Sequence, residues 1–234
     1  MGDLRVIEVK RSIFEDNNRD ADRLRDQLRR ENTLLINLMS SPGAGKTTLL
    51  RRTIALLRDE MKLGVMEADI DGEVDARAIE AAGAKAVQIH TGGMCHLDAD
   101  MTRQGLAALG SEAFDLVVLE NVGNLVCPAE FDTGAMRNVM LLSVPEGDDK
   151  PLKYPLMFKN CQVALINKCD TLAVFDDFDC ERVKARILDR NPTCRVFFIS
   201  AKTGEGLEAW IDWLREALSQ FRGGKLDAPV HFDA

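Results

Sequence analysis

Lys46 and Thr47 close the run Ser40-Ser41-Pro42-Gly43-Ala44-Gly45-Lys46-Thr47, an order of small residues, a lysine and a hydroxyl suited to holding a polyphosphate. Small residues let backbone N–H groups turn inward around phosphate oxygens, Lys46 reaches the outer phosphates, and the Thr47 hydroxyl is placed to ligand Mg²⁺. Gly43, Ala44, Gly45, Lys46, Thr47 and Thr48 are the expected nucleotide contacts here. The run opens with Ser40 where the simplest form of the motif has glycine. A Gly-rich turn with no ligand would explain neither Lys46 with Thr47 nor the apolar residues that lead into them.

A second polar group, Asn167-Lys168-Cys169-Asp170, follows the apolar run Val163-Ala164-Leu165-Ile166. A carboxylate at Asp170 accepts two hydrogens from the Watson–Crick edge of guanine, a donor pair that adenine lacks. Asn167 can fix the loop, and the aliphatic stem of Lys168 can cover the ring. Ser200, Ala201 and Lys202 follow another apolar run and would offer donors to the base oxygen, so GTP is expected rather than ATP. By itself the group at 167–170 is also what a surface turn uses.

Acids at strand ends are the candidates for the metal and water side of the phosphate site. Glu120 follows Leu116-Val117-Val118-Leu119, and Asp69 follows Val65-Met66-Glu67-Ala68. Glu120 would act on Mg²⁺ directly or through water, and Asp69 would orient the attacking water or hold a Mg²⁺ hydration water. With Lys46 these two make the expected catalytic set. Asp71 and Asp75 are further candidates, with helix capping or plain solvation as the alternative for Asp69, Asp71 and Asp75. Asp75 and Lys153 are candidate switch or dimer residues, an exposed lysine being the plainer reading of Lys153.

Cys95 and His96 sit in Thr91-Gly92-Gly93-Met94-Cys95-His96-Leu97-Asp98, and Cys127 follows Gly123-Asn124-Leu125-Val126. Two thiolates and an imidazole in such loops suit a borderline metal, Zn²⁺ or Ni²⁺, with an open or subunit-shared position. Free cysteines are also often small buried hydrophobes, and the spacing alone leaves both readings open. Cys161, Cys169, Cys180 and Cys194 take the structural reading first.

These groups need a scaffold. The 234 residues, 46% of them hydrophobic, suffice for one core, and strand-like and helical periods alternate along the chain as in an α/β fold with a parallel sheet. Strands are expected at 33–39, 65–68, 86–89, 116–119, 140–144, 162–166 and 196–199. Helices are expected over 12–31, from the phosphate loop to about 61, around 75–81, near 99–109, and from Leu207 to Leu218. The Pro-, Asp- and Lys-rich stretch 145–159 reads as a loop with functional potential. Three parts are expected: residues 1–30, an extension whose helix packs on the core; 31–221, a nucleotide domain with an embedded metal site; and 222–234, a loosely held tail.

The net charge of −8 argues against a broad nucleic-acid surface. No apolar run is long enough to cross a bilayer. The six cysteines form no CxxC pair, and the first residues lack a basic flank before an apolar run, so a reducing cytoplasm is expected.

Residues 120–128, Glu-Asn-Val-Gly-Asn-Leu-Val-Cys-Pro, with 40–47, 91–98 and 167–170, resemble the hydrogenase-maturation GTPase family HypB. The resemblance spans residues 30–218. It implies a P-loop GTPase that dimerises with nucleotide and binds Zn²⁺ or Ni²⁺ at or near the subunit interface through the positions that here are Cys95, His96 and Cys127. Implied partners are a HypA-like nickel accessory protein and the large-subunit precursor of a nickel–iron hydrogenase. Residues 1–30 hold neither Cys nor His, whereas some relatives carry a nickel-binding motif or a histidine-rich stretch; metal transfer is therefore expected here rather than storage. Two alternatives remain. One is a urease-type nickel accessory GTPase, although its Cys-Pro-His motif is here Cys127-Pro128-Ala129. The other is a non-enzymatic, zinc-bound GTP-binding scaffold.

Overall fold

A continuous apolar run that can be buried on both faces makes a central parallel strand, and Leu34–Ser40 (β1) is such a strand, buried at every position. In the computed structural model, which describes residues 9–69, 74–110 and 112–229, β1 lies at the middle of a seven-stranded sheet. The others are Leu63–Asp69 (β2), Lys85–His90 (β3), Leu116–Glu120 (β4), Arg137–Ser143 (β5), Val163–Asn167 (β6) and Arg195–Phe198 (β7). The order is β3-β2-β4-β1-β5-β6-β7, and every pairing is parallel. The expected α/β class is the one observed. In such a sheet all the strands end at one edge, so loops from distant parts of the chain meet there.

Helices Val9–Glu31 (α1), Lys46–Leu57 (α2), Val74–Ala82 (α3), Ala99–Leu109 (α4), Lys150–Lys153 (α5), Pro155–Lys159 (α6), Cys180–Arg190 (α7) and Leu207–Arg222 (α8) flank the sheet. Trp210, Ile211, Leu214 and Leu218 of α8 bury one stripe beside Leu49, Ile54 and Leu57 of α2. Trp210 Nε1 donates to the Thr53 hydroxyl at 3.0 Å, which satisfies the polar end of a buried indole. On α1, Ala21, Leu24 and Leu28 are buried as their spacing predicts, while Ile13 is 52% exposed.

Arg25, on the same helix, is among the most buried side chains of the protein. It donates to Asp132 at 2.5 Å and to the Ala135 carbonyl at 3.1 Å. A charge this deep is tolerable only when paired.

Two expectations need correction. The stretch 145–159 is not a loop: a 3-10 turn at Val144–Glu146 leads into α5 and α6. Pro145, Pro151 and Pro155 each stand at a helix start, where the missing N–H costs nothing and the fixed φ suits the first turn. Nor is the segment after α8 loose over 223–229, for Leu226 is buried in the core and Arg137 donates to the Asp227 carbonyl at 2.7 Å.

Candidate nucleotide and metal site

Gly45 caps the start of α2 with φ 101°, a left-handed conformation that glycine adopts without strain. This turn directs the first N–H groups of α2, beginning at Lys46, toward the cleft at the sheet edge. The cleft, ≈ 410 Å³, is lined by Pro42, Gly43, Gly45, Lys46, Thr47, Thr48, Glu67, Glu120 and Gly123 among others. Lys46 Nζ donates to the Ser40 hydroxyl at 3.0 Å and lies 3.8 Å from Glu120 Oε1. Ser40, the departure from the simplest motif, is thus a buried rest for the lysine.

The acids are arranged by strand register. Glu120 pairs with Glu67 across β4 and β2, and both side chains are buried while lining the cleft. Two carboxylates and one lysine in a single cleft leave room in the charge balance for a divalent cation, and Thr47 lines the same cleft, so the residues present suit Mg²⁺. Glu67 lies within an apolar run rather than at its end, so a search of strand ends misses it; a charged residue inside a buried strand is the available signal. Asp69 ends β2 beside His90, and Asp75 lies on α3, with only the backbone described for each; Asp71 lies outside the described residues. Lys153 is exposed and pairs with Asp149 at 2.5 Å, one helical turn away.

Asn167 and Lys168, at the end of β6, reach the phosphate loop, and Asp170 with Ser200 to Lys202 adjoins them. Asn167 Nδ2 donates to the Ala44 carbonyl at 2.9 Å, and its Oδ1 accepts from Ala201 N at 3.0 Å. Lys168, held left-handed at φ 63°, reaches the Gly43 carbonyl with Nζ at 2.7 Å. Ser200 Oγ donates to Asp170 Oδ1 at 2.7 Å. Asp170 therefore stands with one oxygen anchored at the sheet edge. Cys169 is packed against this loop, its thiol pushed up to about 11, first by burial, which fits a structural role.

Three buried asparagines tie the end of β4, β1 and β5 to one another. Asn37 donates to Asn138 and accepts from Asn121, both at 3.0 Å. Val122 N donates to Asn121 Oδ1 at 2.9 Å, which turns the chain sharply after Glu120. Gly123 then lies against Pro42, where an added Cβ would meet Pro42 atoms at 3.0 to 3.3 Å. The close approach explains the glycine, and it puts the segment after Glu120 in contact with the phosphate loop.

That segment ends at Cys127, whose Sγ lies 2.8 Å from Cys95 Sγ. The pair is exposed to half-buried, and sharing a proton with Cys95 raises the Cys127 pKa above that of an ordinary thiol. His96 Nδ1 is 3.8 Å from Cys95 Sγ, and the imidazole stacks on Phe131 with ring centroids 3.7 Å apart. Burial lowers the His96 pKa, which favours the neutral ring a metal requires. Among the described residues no three His, Cys, Asp or Glu side chains form a group that could hold a metal ion. The two thiols do converge, while the imidazole is turned onto Phe131. Phe14 of α1 packs on Phe131 at 5.0 Å, and Asn17 bridges Ala99 N at 3.0 Å and the Asp132 carbonyl at 2.9 Å.

A parallel sheet with a phosphate loop after its central strand defines a P-loop nucleotide-binding domain of the GTPase kind. The sequence model of the CobW/HypB/UreG nucleotide-binding domain matches residues 34–198. The chain is 44% identical over 214 residues to the hydrogenase maturation factor HypB of Escherichia coli strain K12, covering 92% of this chain and 73% of that one. The crystal structure of HypB from Helicobacter pylori in complex with nickel superposes with a TM-score of 0.83 at 38% identity, covering 91% of this chain and 98% of that one. HypB from Archaeoglobus fulgidus superposes at 0.81 with 39% identity, covering 87% and 99%. The chain belongs to the HypB family of hydrogenase maturation factors.

Proposed function

We propose that this chain hydrolyses GTP and uses the nucleotide cycle to control a nickel ion on its way to the large-subunit precursor of a nickel–iron hydrogenase. Lys46 and the α2 N-terminus hold the phosphates, Thr47, Asp69 and Glu120 serve Mg²⁺, and Asp170 with Ser200 to Lys202 reads guanine. Mg²⁺, when bound, supplies charge neutralisation at the phosphates. Cys95, His96 and Cys127 take Ni²⁺ as cargo, or Zn²⁺, completed by a rotation of His96 or by a second subunit. The working form is a nucleotide-dependent homodimer in the cytoplasm, with a HypA-like protein as the nickel partner.

One observation carries this reading: the segment from Glu120 to Cys127 touches the phosphate loop at Gly123 against Pro42 and ends 2.8 Å from Cys95. Any shift of Glu120 with the state of the phosphate reaches a metal thiol through a short path. A ligand moves such an equilibrium only through different affinities for its two states. Nickel titrated into nucleotide-free, GDP-bound and GTP-analogue-bound protein tests it. Affinity that changes with nucleotide is expected, and equal affinities in all three states would reject the switch. Steady turnover of GTP separates the enzyme from a binding scaffold.

A further inference from the structure

Arg52 stands on the exposed side of α2, the helix that begins at the phosphate loop, and its guanidinium turns toward the base side of the site. Nε donates to the Ala201 carbonyl at 3.3 Å and Nη2 to the Lys202 carbonyl at 2.9 Å. Both carbonyls belong to the segment that would face the oxygen of guanine. From the structure we infer that Arg52 is a positioning residue for guanine recognition, clamping two successive peptide planes so that the Lys202 N–H points at the base oxygen. This rests on the guanine reading made above.

The argument is one of peptide geometry. Among the described residues there are no cis peptides, and in a trans peptide the C=O and the following N–H point in opposite directions. An arginine that draws the Ala201 carbonyl toward α2 must send the Lys202 N–H the other way. The remaining donors of the segment are already committed: Ala201 N to Asn167 Oδ1 at 3.0 Å, and Thr203 N to Ser200 Oγ at 3.1 Å. Lys202 N–H is therefore the donor left for a ligand, and Arg52 sets its direction. A guanidinium is suited to this because its planar fork fixes two acceptors at once, whereas an ammonium reaches them singly. No part of Arg52 has to touch the nucleotide.

The role makes a prediction that a merely structural one does not, because it concerns a single atom of the base. 6-Thioguanosine triphosphate keeps the two donors read by Asp170 but replaces the oxygen with sulfur, a weak acceptor. Affinities of GTP, 6-thio-GTP and ATP should be measured by calorimetry for the wild type, Arg52→Ala and Arg52→Lys. Arg52→Ala should weaken GTP by about three- to tenfold, the worth of one well-aimed hydrogen bond, and 6-thio-GTP much less. Arg52→Lys should fall between. Equal weakening of GTP and 6-thio-GTP, or none, would overturn the clamp while leaving guanine recognition intact. Full recovery with Arg52→Lys would also overturn it, since charge alone would then suffice. A wild type that binds ATP as tightly as GTP would overturn both readings.

Discussion

The side chain of Asn167 bonds the Ala44 carbonyl of the phosphate loop at 2.9 Å, and its other end holds Ala201 N at 3.0 Å. Lys168 adds a second tie to the Gly43 carbonyl at 2.7 Å. The two ends of a bound nucleotide would therefore meet parts of the protein that are already fastened to one another.

That fastening leaves no space at Gly45. An added Cβ would meet Asn167 Nδ2 at 2.7 Å, and φ of 101° strains any L side chain. Gly45→Ala is expected to cost about 1–3 kcal/mol of stability and to reduce GTP affinity at least tenfold. Urea unfolding and calorimetric titration check both; unchanged values in each would show that the loop adapts.

Glu120→Gln keeps the size of the side chain while removing a charge from the Mg²⁺ side of the cleft. Turnover should fall well below wild type while GTP affinity changes by less than about fivefold, since an interaction made mainly in the transition state lowers the rate constant first. A Mg²⁺ titration of the hydrolysis rate that overlays the wild-type curve would assign Glu120 a structural role.

Nickel or zinc affinity should weaken as pH falls. Metal binding displaces protons from Cys95 and Cys127, and the raised Cys127 thiol holds its proton across the neutral range. By linkage, affinity drops about tenfold per pH unit for each proton displaced. The His96 pKa is lowered, so the imidazole adds its own loss only at the acid end, once pH falls to that depressed value. Competition titrations from pH 8 to pH 6 measure the slope, and a flat profile would exclude the thiols as ligands.

Arg25→Ala should destabilise the protein by about 3–5 kcal/mol, because it leaves the carboxylate of Asp132 buried without its cation. Asp22→Ala removes a partner of the same arginine that is 58% exposed, and should change stability by less than about 0.5 kcal/mol. Similar melting temperatures for the two variants would contradict the ranking.

Much of the nucleotide site was legible in the residues themselves, because long apolar runs marked β1, β4 and β6 and polar groups stood at their ends. What escaped had a common cause. Arg25 looks like any surface charge in the sequence because its pairing with Asp132 is a long-range fact. Glu67 enters the cleft only through its register with Glu120, which sequence spacing does not encode. Asn37, Asn121 and Asn138 became a network once β4, β1 and β5 lay side by side. The prolines of 145–159 suggest a loop, yet they begin short helices. The thiols of Cys95 and Cys127 lie side by side, but the stacking of His96 on Phe131 depends on packing that no motif states.

The buried arginine of α1 also acts as a ruler. Leucines on a helix can slide along an apolar groove by a turn at modest cost, but Arg25 finds Asp132 and the Ala135 carbonyl at only one setting. With that setting fixed, Asn17 falls between Ala99 and Asp132, and Phe14 falls on Phe131. Those contacts adjoin the two loops that present Cys95 with His96 and Cys127. Indexing one helix by one ion pair thus sets the distance between two halves of a site to which the helix gives no ligand.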